Sequence, residues 1–325
     1  FTLTPAYALG VRLVGSEMCI RDRCNTSLTF FSTSGRPLER VIYSILALSA
    51  FLSVITTIGI IFVLTTESAE FFKEVSFFEF LFGTRWEPLL EPKSFGVLPL
   101  VSGTITIVIG AGLIALPIGI MTAIYLSEYA SPKTRSTIKP TLEILAGIPT
   151  VVYGYFALTF ITPLIRTVFP ATQIFNSASA SIVVGIMILP MVASLCDDAI
   201  RSVPTSLRQG GFSMGATTFE VTKSIVVPGA FSGIIASFVL ALSRAFGETM
   251  AVTLAAGATP NLTINPLESI QTMTAYIVQV SLGDTPAGGI EYQTIFAVGA
   301  LLFFVTLSMN IFANHIMNKY REVHE

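Results

Sequence analysis

The 325-residue chain is strongly apolar: hydrophobic residues make up 52% of it, charged residues only 12%, and its mean hydropathy is +0.75. These values exclude a soluble globular domain and indicate a polytopic membrane protein. The basic residues lie scattered at segment ends, which excludes a nucleic-acid-binding patch, and the three cysteines have no metal-ligand spacing, so we expect neither a disulfide framework nor a metal or cofactor.

The N-terminal 35 residues differ from the rest because they have neither the apolar core of a signal peptide nor a helical stripe. We interpret 1–35 as a non-native or disordered segment; a genuine cytoplasmic tail is the alternative. The next apolar run, 41–65, has about 25 residues without a charge, enough to span a bilayer. Residues 67–94 then mix aromatic and acidic side chains, so we expect them on the extracytoplasmic membrane surface.

Five further apolar segments predict five more membrane helices, which makes the chain an all-α protein with six spans. Their approximate bounds are 95–126, 142–165, 179–200, 229–257 and 293–316. We therefore divide the chain after its N-terminal segment into three parts. These are 36–95, the first helix with its interfacial segment; 96–320, the five-helix core; and 321–325, a cytoplasmic tail.

The distribution of Lys and Arg predicts the orientation. Basic residues near 133–139, 201–223 and 319–321 lie on the same predicted side as Arg36, whereas 257–292 contains no Lys or Arg. The positive-inside rule therefore places both termini and the 201–228 loop in the cytoplasm.

The 201–228 loop is predicted to form two short helices that meet at Gly215 and end at Pro228. Such a loop can fill a groove on another protein. No Gly-x-x-x-x-Gly-Lys-Ser/Thr pattern occurs in the chain, so it has no P-loop for nucleotide phosphates. An ATPase that drove transport would therefore be another polypeptide.

This loop resembles the coupling loop of permease subunits in bacterial ABC importers, whose pattern is Glu-Ala-Ala, three residues, Gly, nine residues, Ile, any residue, Leu and Pro. The chain keeps the spacing but has Gln209-Gly210-Gly211 at the start and Val227 in place of Leu. Two adjacent glycines weaken a helix by roughly 1 kcal/mol each relative to alanine, so we expect a less rigid first coupling helix. The resemblance assigns ATPase coupling to Gln209, Gly210, Gly211, Gly215, Ala216, Ile225 and Pro228.

Arg244 and Glu248 are the deepest ionisable residues of the predicted spans. An unpaired charge in hydrocarbon costs several kcal/mol, so each is a candidate functional residue. In a continuous fifth helix from Gly229, Arg244 would lie roughly 20 Å along the axis, and its i,i+4 spacing from Glu248 would put both charges on one face. From the residues alone, two interpretations of this pair are about equally well supported: a structural ion pair, and an oxyanion site flanked by Ser243 and Thr249.

The segment 244–249 resembles the Arg-Ala-x-Gly-Glu-Thr stretch in permeases of the phosphate-specific ABC importer, where the charged pair is associated with phosphate passage. The resemblance covers nearly all of 36–320, and short strings favour the PstC over the PstA type. It implies a type I ABC importer permease (MetI-like) fold in the bacterial inner membrane. The implied partners are a PstA-type second permease, a dimer of PstB-type ATP-binding subunits, a PstS-type extracytoplasmic phosphate-binding protein and membrane lipid. The permease itself makes or breaks no covalent bond.

A chemical hypothesis accounts for the carboxylate. Phosphate near neutral pH can donate a proton in a hydrogen bond, whereas sulfate only accepts, so Glu248 would accept from phosphate and repel sulfate. The alternatives are a permease for another oxyanion such as sulfate, molybdate or phosphonate, a secondary carrier or channel with a proton-linked relay, and an intramembrane enzyme. For the enzyme the sequence offers no nucleophile or metal-ligand cluster.

Other polar residues of the spans are assigned structural roles. Glu143 is expected to pair with Lys139 or reach the interface, and Asn310 to hydrogen-bond between helices. Asp197 and Asp198 close the fourth predicted span near Arg201, and we interpret them as boundary charges, with a coupling role as a further interpretation.

Overall fold

The structure is a computed structural model that describes residues 37–286 and 288–319. The predicted N-terminal segment, 1–35, and the predicted tail, 321–325, lie outside the described residues. The chain divides into two compact units between Ile60 and Ile61. The described part of the first unit is helical, and its side chains from Val41 to Ile60 are exposed. All candidate site residues belong to the second unit.

The described residues are mostly helical. The helices are α1 Pro37–Glu74, α2 Phe77–Phe82, α3 Leu98–Ile124, α4 Pro132–Ala146, α5 Thr150–Phe156, α6 Thr162–Val168, α7 Ser177–Arg201, α8 Thr205–Ser213, α9 Thr218–Val221, α10 Val227–Gly229, α11 Phe231–Phe246, α12 Met250–Ala256, α13 Met273–Leu282 and α14 Ile290–Lys319. Three π-helical turns, Tyr125–Tyr129, Ala157–Ile161 and Thr222–Val226, join or extend them. In this part of the chain two short antiparallel strands, β1 Trp86–Glu87 and β2 Ser94–Phe95, form the sheet.

Five described segments are long and apolar enough to cross a bilayer: Val41–Glu74, Leu98–Tyr129, Thr150–Val168, Ser177–Arg201 and Ile290–His315. A sixth span results if Thr218–Gly229 and Phe231–Phe246, bent by 68° relative to each other, are counted together. The prediction of an all-α membrane protein with six spans is thereby confirmed.

Two predicted span boundaries are wrong. The third span begins at Thr150 rather than at 142, because Pro149 precedes its first turn and 142–146 belong to the separate helix α4. The fifth was expected to run unbroken over 229–257, but α11 ends at Phe246 and α12 begins at Met250.

The centre of the second unit is the long contact between α3 and α7. Small residues let the two backbones approach: a Cβ on Gly110 would lie 2.5 Å from the Ser181 hydroxyl, and one on Gly119 would lie 2.5 Å from Val192 Cγ1. The Asn176 side chain accepts from the Ser179 amide at 2.8 Å and so begins α7. This packing holds the end of α7 from which the 201–228 loop emerges.

An aromatic cluster forms a second core. Phe71, Phe80, Trp86 and Phe95 are buried, and Trp86 meets Tyr276 of α13 edge to face, with ring centroids 4.9 Å apart. We had expected the aromatic rings of 67–94 at the headgroup level. Only part of them is exposed in the structure, because α13 and the start of α14 cover the others.

Candidate functional site

The 201–228 loop, called the coupling loop below, consists of α8, a turn, α9 and a π-helical turn. Gly215 has a φ of +82°, which favours glycine, and makes the turn at which the two helices meet. Thr217 and Glu220 then begin α9 with a reciprocal pair of hydrogen bonds, the Thr217 amide to Glu220 Oε2 at 2.8 Å and the Glu220 amide to Thr217 Oγ1 at 3.4 Å. The spacing around Gly215 therefore produces a defined turn between two helices.

The two glycines of α8 have different environments. A Cβ on Gly210 would meet nothing within 4 Å, whereas one on Gly211 would lie 2.7 Å from Ile225 Cδ1 and 3.0 Å from Val221 Cγ2. Gly211 is thus where α8 packs closely against the second half of the loop. Helix α8 continues through both glycines to Ser213.

Several apolar side chains of the coupling loop are exposed. Phe219 is 65% exposed and Met214 88%, and Leu207 and Phe212 are also exposed. Val221 and Val226 on the opposite side of the loop are buried. Exposed apolar residues on a loop whose other side chains are well packed are typical of a surface that binds another protein. Of the other predicted coupling residues, Gln209 and Pro228 are exposed, and Ala216 and Ile225 are partly buried.

A buried group of charges joins α4 to the end of α7. Asp197 is fully buried, and its Oδ2 accepts from Arg135 at 2.6 Å and from Lys139 at 3.2 Å. Lys139 also contacts Asp198 at 2.8 Å, and this hydrogen bond raises the lysine pKa above its usual value. Asp197 lies at the end of the fourth span and 3.7 Å from Arg201, as expected, but its burial and its pairing with α4 were not expected. Lys139 pairs with the aspartates and not with Glu143, which has no ion pair within the described residues.

The coupling loop has a second ionic contact that the sequence reasoning missed. Arg208 Nη1 of α8 lies 2.9 Å from Glu128 Oε1 at the end of the second span, and Arg208 Nη2 donates to the Ile200 carbonyl at 2.7 Å. The two residues are 80 positions apart in the sequence, so no local pattern connects them. The sequence feature that could have indicated this contact is Glu128, an acidic residue in the last turn of an apolar span.

The structural ion pair of Arg244 with Glu248, one of the two alternatives, is not formed, and the prediction that they share one helical face is wrong. Helix α11 ends at Phe246, so Glu248 does not follow Arg244 on a common helical face. Arg244 is exposed, and within the described residues it has neither a hydrogen bond nor an ion pair. Glu248 is 8% exposed, and its Oε1 accepts from the Ala251 amide at 3.2 Å, which satisfies the first turn of α12.

Neighbouring polar groups hold the two ends of the 247–249 interruption. Ser243 donates to Asn310 Oδ1 of α14 at 3.1 Å, so the expected helix-to-helix hydrogen bond of Asn310 is confirmed. Thr249 Oγ1 donates to the Gly247 carbonyl at 3.1 Å. From α13, Thr274 Oγ1 donates to the Glu248 carbonyl at 2.8 Å, a contact that the sequence reasoning missed.

Next to the interrupted helix, the guanidinium of Arg244 has no partner among the described residues. Non-helical backbone at membrane depth is found where it is buried in protein or lines a cavity, and interrupted helices form substrate sites in transporters. The forked donors of Arg244 suit an oxyanion. In the described part of the chain no three His, Cys, Asp or Glu residues are grouped as a metal site would require.

Comparisons with known proteins agree with this architecture. A family model described as binding-protein-dependent transport system inner membrane component matches residues 115–322. The chain is 34% identical over 245 residues to the probable ABC transporter permease protein YqgH of Bacillus subtilis, covering 75% of this chain and 79% of that protein. It is 32% identical over 259 residues to the phosphate transport system permease protein PstC of Mesorhizobium japonicum, covering 74% and 78%.

Solved structures show the same fold. A bacterial alginate ABC transporter, in complex with an alginate pentasaccharide-bound periplasmic protein, matches with a TM-score of 0.63 and 18% identity over 86% of this chain and 95% of that one. The methionine transporter MetNI, in an inward-facing conformation, matches with a TM-score of 0.52 and 17% identity over 70% and 95%. The predicted fold and the resemblance to PstC-type permeases are thereby confirmed. The chain belongs to the binding-protein-dependent transport system inner membrane component family and is a membrane-spanning permease subunit of an ABC importer.

Proposed function

We propose that this permease imports inorganic phosphate across the bacterial inner membrane. The observation that carries the proposal is Arg244, an exposed guanidinium with no ionic partner in the described chain, at the end of an interrupted membrane helix. Relatives named as phosphate permeases of the PstC type support the choice among oxyanions.

The proposed assembly follows the partners that the resemblance implies. A PstA-type permease completes the pathway, a dimer of PstB-type ATP-binding subunits contacts the coupling loop, and a PstS-type protein delivers phosphate from outside. Both termini of the permease lie in the cytoplasm. ATP and the loaded binding protein shift the permease pair between inward- and outward-open states, and the coupling loop transmits the change.

Glu248 sets selectivity in this proposal. Its Oε1 accepts from the Ala251 amide, and its Oε2 has no hydrogen bond within the described residues. That oxygen is available to accept from a phosphate hydroxyl, and a fully ionised sulfate offers no such donor. The charge of Glu248 also offsets that of Arg244, so the anion is held weakly enough to leave.

The test is ATP-dependent uptake of radiolabelled phosphate into proteoliposomes that contain the four-component importer. Because Arg244 supplies the anion's charge-assisted donors, we expect Arg244→Gln to lower uptake by about a hundredfold, as loss of a close charge interaction does. Arg166→Gln is the matched control, since Arg166 is also an exposed arginine without an ion pair in the described chain. Unchanged uptake by Arg244→Gln would refute the proposal.

One observation favours a second candidate, a permease for another oxyanion. The contact between Glu248 and the Ala251 amide gives the carboxylate a structural role that does not depend on phosphate. Competition of the labelled phosphate by sulfate, molybdate or a phosphonate separates the two. An importer of another oxyanion would take up that ion in preference to phosphate.

A further inference from the structure

Arg208 connects α8 to the second and fourth spans. The residues of α8 are exposed, with two exceptions. Gly211 packs within the loop, and the side chain of Arg208 is 17% exposed. In the described residues, Arg208 is also the side chain of α8 that hydrogen-bonds to a span.

The partner of Arg208 is equally enclosed. The Glu128 side chain is 7% exposed, and Oε1 lies 2.9 Å from Arg208 Nη1 and accepts from the Ser127 hydroxyl at 3.0 Å. Glu128 belongs to the π-helical turn that ends the second span, whereas the Ile200 carbonyl, the other acceptor of Arg208, lies at the end of α7. One guanidinium therefore joins α8 to the ends of two membrane helices.

The contact between Arg208 and Glu128 is energetically costly to separate. Separating a buried ion pair leaves uncompensated charge in a poorly hydrated place, which is strongly unfavourable. The planar fork of arginine reaches a carboxylate and a carbonyl together, whereas a lysine ammonium is a compact point charge. The contact therefore resists a displacement of α8 relative to the ends of the second and fourth spans.

We propose that Arg208 is a positioning residue that transmits the displacement of the coupling loop to the second and fourth spans through Glu128 and the Ile200 carbonyl. The inference rests on the proposed ATP-driven import. It assigns to one arginine a mechanical connection between the surface proposed to contact the ATPase and the second and fourth spans.

The experiment measures phosphate imported per ATP hydrolysed, in proteoliposomes with the complete importer and saturating binding protein. We expect Arg208→Gln and Glu128→Gln each to lower this ratio about tenfold, within the range of known coupling free energies. Arg208→Lys should lower it less, because it keeps the charge and loses the fork. The exchange Arg208→Glu with Glu128→Arg should recover part of the ratio. Lys133→Gln, which removes an exposed cation of α4 without an ion pair in the described chain, should keep it.

The outcomes distinguish the two proposals. If the unaltered importer takes up phosphate but the Arg208 and Glu128 variants keep its ratio, the inference is overturned and the proposed function stands. If the variants lose assembly, measured by co-purification of the ATPase, while the remaining complexes keep the normal ratio, the pair is merely structural and the inference is also overturned. If the unaltered importer takes up no phosphate with ATP, both proposals fall.

Discussion

At the scale of single residues, Arg244 and Glu248 lie in different surroundings and have different roles. Their i,i+4 spacing in the sequence had suggested one shared site. Arg244 is exposed and has no partner in the described chain, so it is available to an anion. Glu248 is buried and caps α12 through the Ala251 amide. The carboxylate therefore has a structural contact through one oxygen and a proposed selectivity role through the other.

Replacing Glu248 by Gln tests the selectivity role without removing the cap. The amide oxygen of Gln can still accept from Ala251, so we expect the variant to fold and assemble. The amide group no longer repels a fully ionised anion, so preference for phosphate over sulfate should fall about tenfold in uptake competition.

Glu143→Gln is the control, since Glu143 is an exposed carboxylate with no ion pair in the described residues. Its selectivity should equal that of the unaltered importer. The role assigned to Glu248 is wrong if both variants discriminate against sulfate equally well.

At the scale of helices, apolar runs were sufficient to predict how many spans there are but not where they break. The run 229–257 contains few polar residues, so its hydropathy indicates one helix. The interruption follows Phe246 at Gly247, and Thr274 donates to the Glu248 carbonyl there from 26 residues away. A contact of that separation has no local sequence pattern.

The adjacent residues Gly210 and Gly211 of α8 illustrate the same limit. Both are glycine, but the structure gives them different surroundings. Gly210→Ala should stabilise α8 by up to about 1 kcal/mol, since alanine is the better helix former and the site is open. Gly211→Ala brings a methyl group against Ile225 and Val221, and overpacking of this kind costs about 1–3 kcal/mol.

The measurement is the thermal unfolding midpoint of the purified permease in detergent. Gly210→Ala serves as the matched control for Gly211→Ala because both changes add one methyl group to the same helix. Equal midpoints for the two variants would contradict the packing described for Gly211.

At the scale of the whole molecule, the family and the coupling loop were predictable because they depend on spacing within short segments. The grouping of charges at the end of α7 was not, because Arg135 and Asp197 are 62 residues apart. Their opposite signs were visible in the sequence, but only the packing of α4 against α7 brings them together. The same reason explains why the contact between Arg208 and Glu128 was missed.

Asp197 should be the main electrostatic link between α4 and α7. Asp197→Asn leaves the cations Arg135 and Lys139 without their buried partner, and breaking such a group costs about 3–5 kcal/mol. Asp198→Asn is the matched control. Its side chain is 60% exposed and pairs with Lys139 alone, so the cost should stay below about 1 kcal/mol.

Unfolding midpoints and denaturant titrations of the two purified variants give the comparison. Similar losses for Asp197→Asn and Asp198→Asn would show that burial adds nothing to this group of charges.

The break at Gly247 after α11 separates Arg244 from Glu248, and different helices hold the two residues. Arg244 lies on a helix that Ser243 fastens to α14, whereas the Glu248 carbonyl is fastened to α13 by Thr274. A small rotation about Gly247 would therefore alter the gap between guanidinium and carboxylate without unwinding either helix. In the proposed import of phosphate, such a rotation would change how closely the two groups hold the anion.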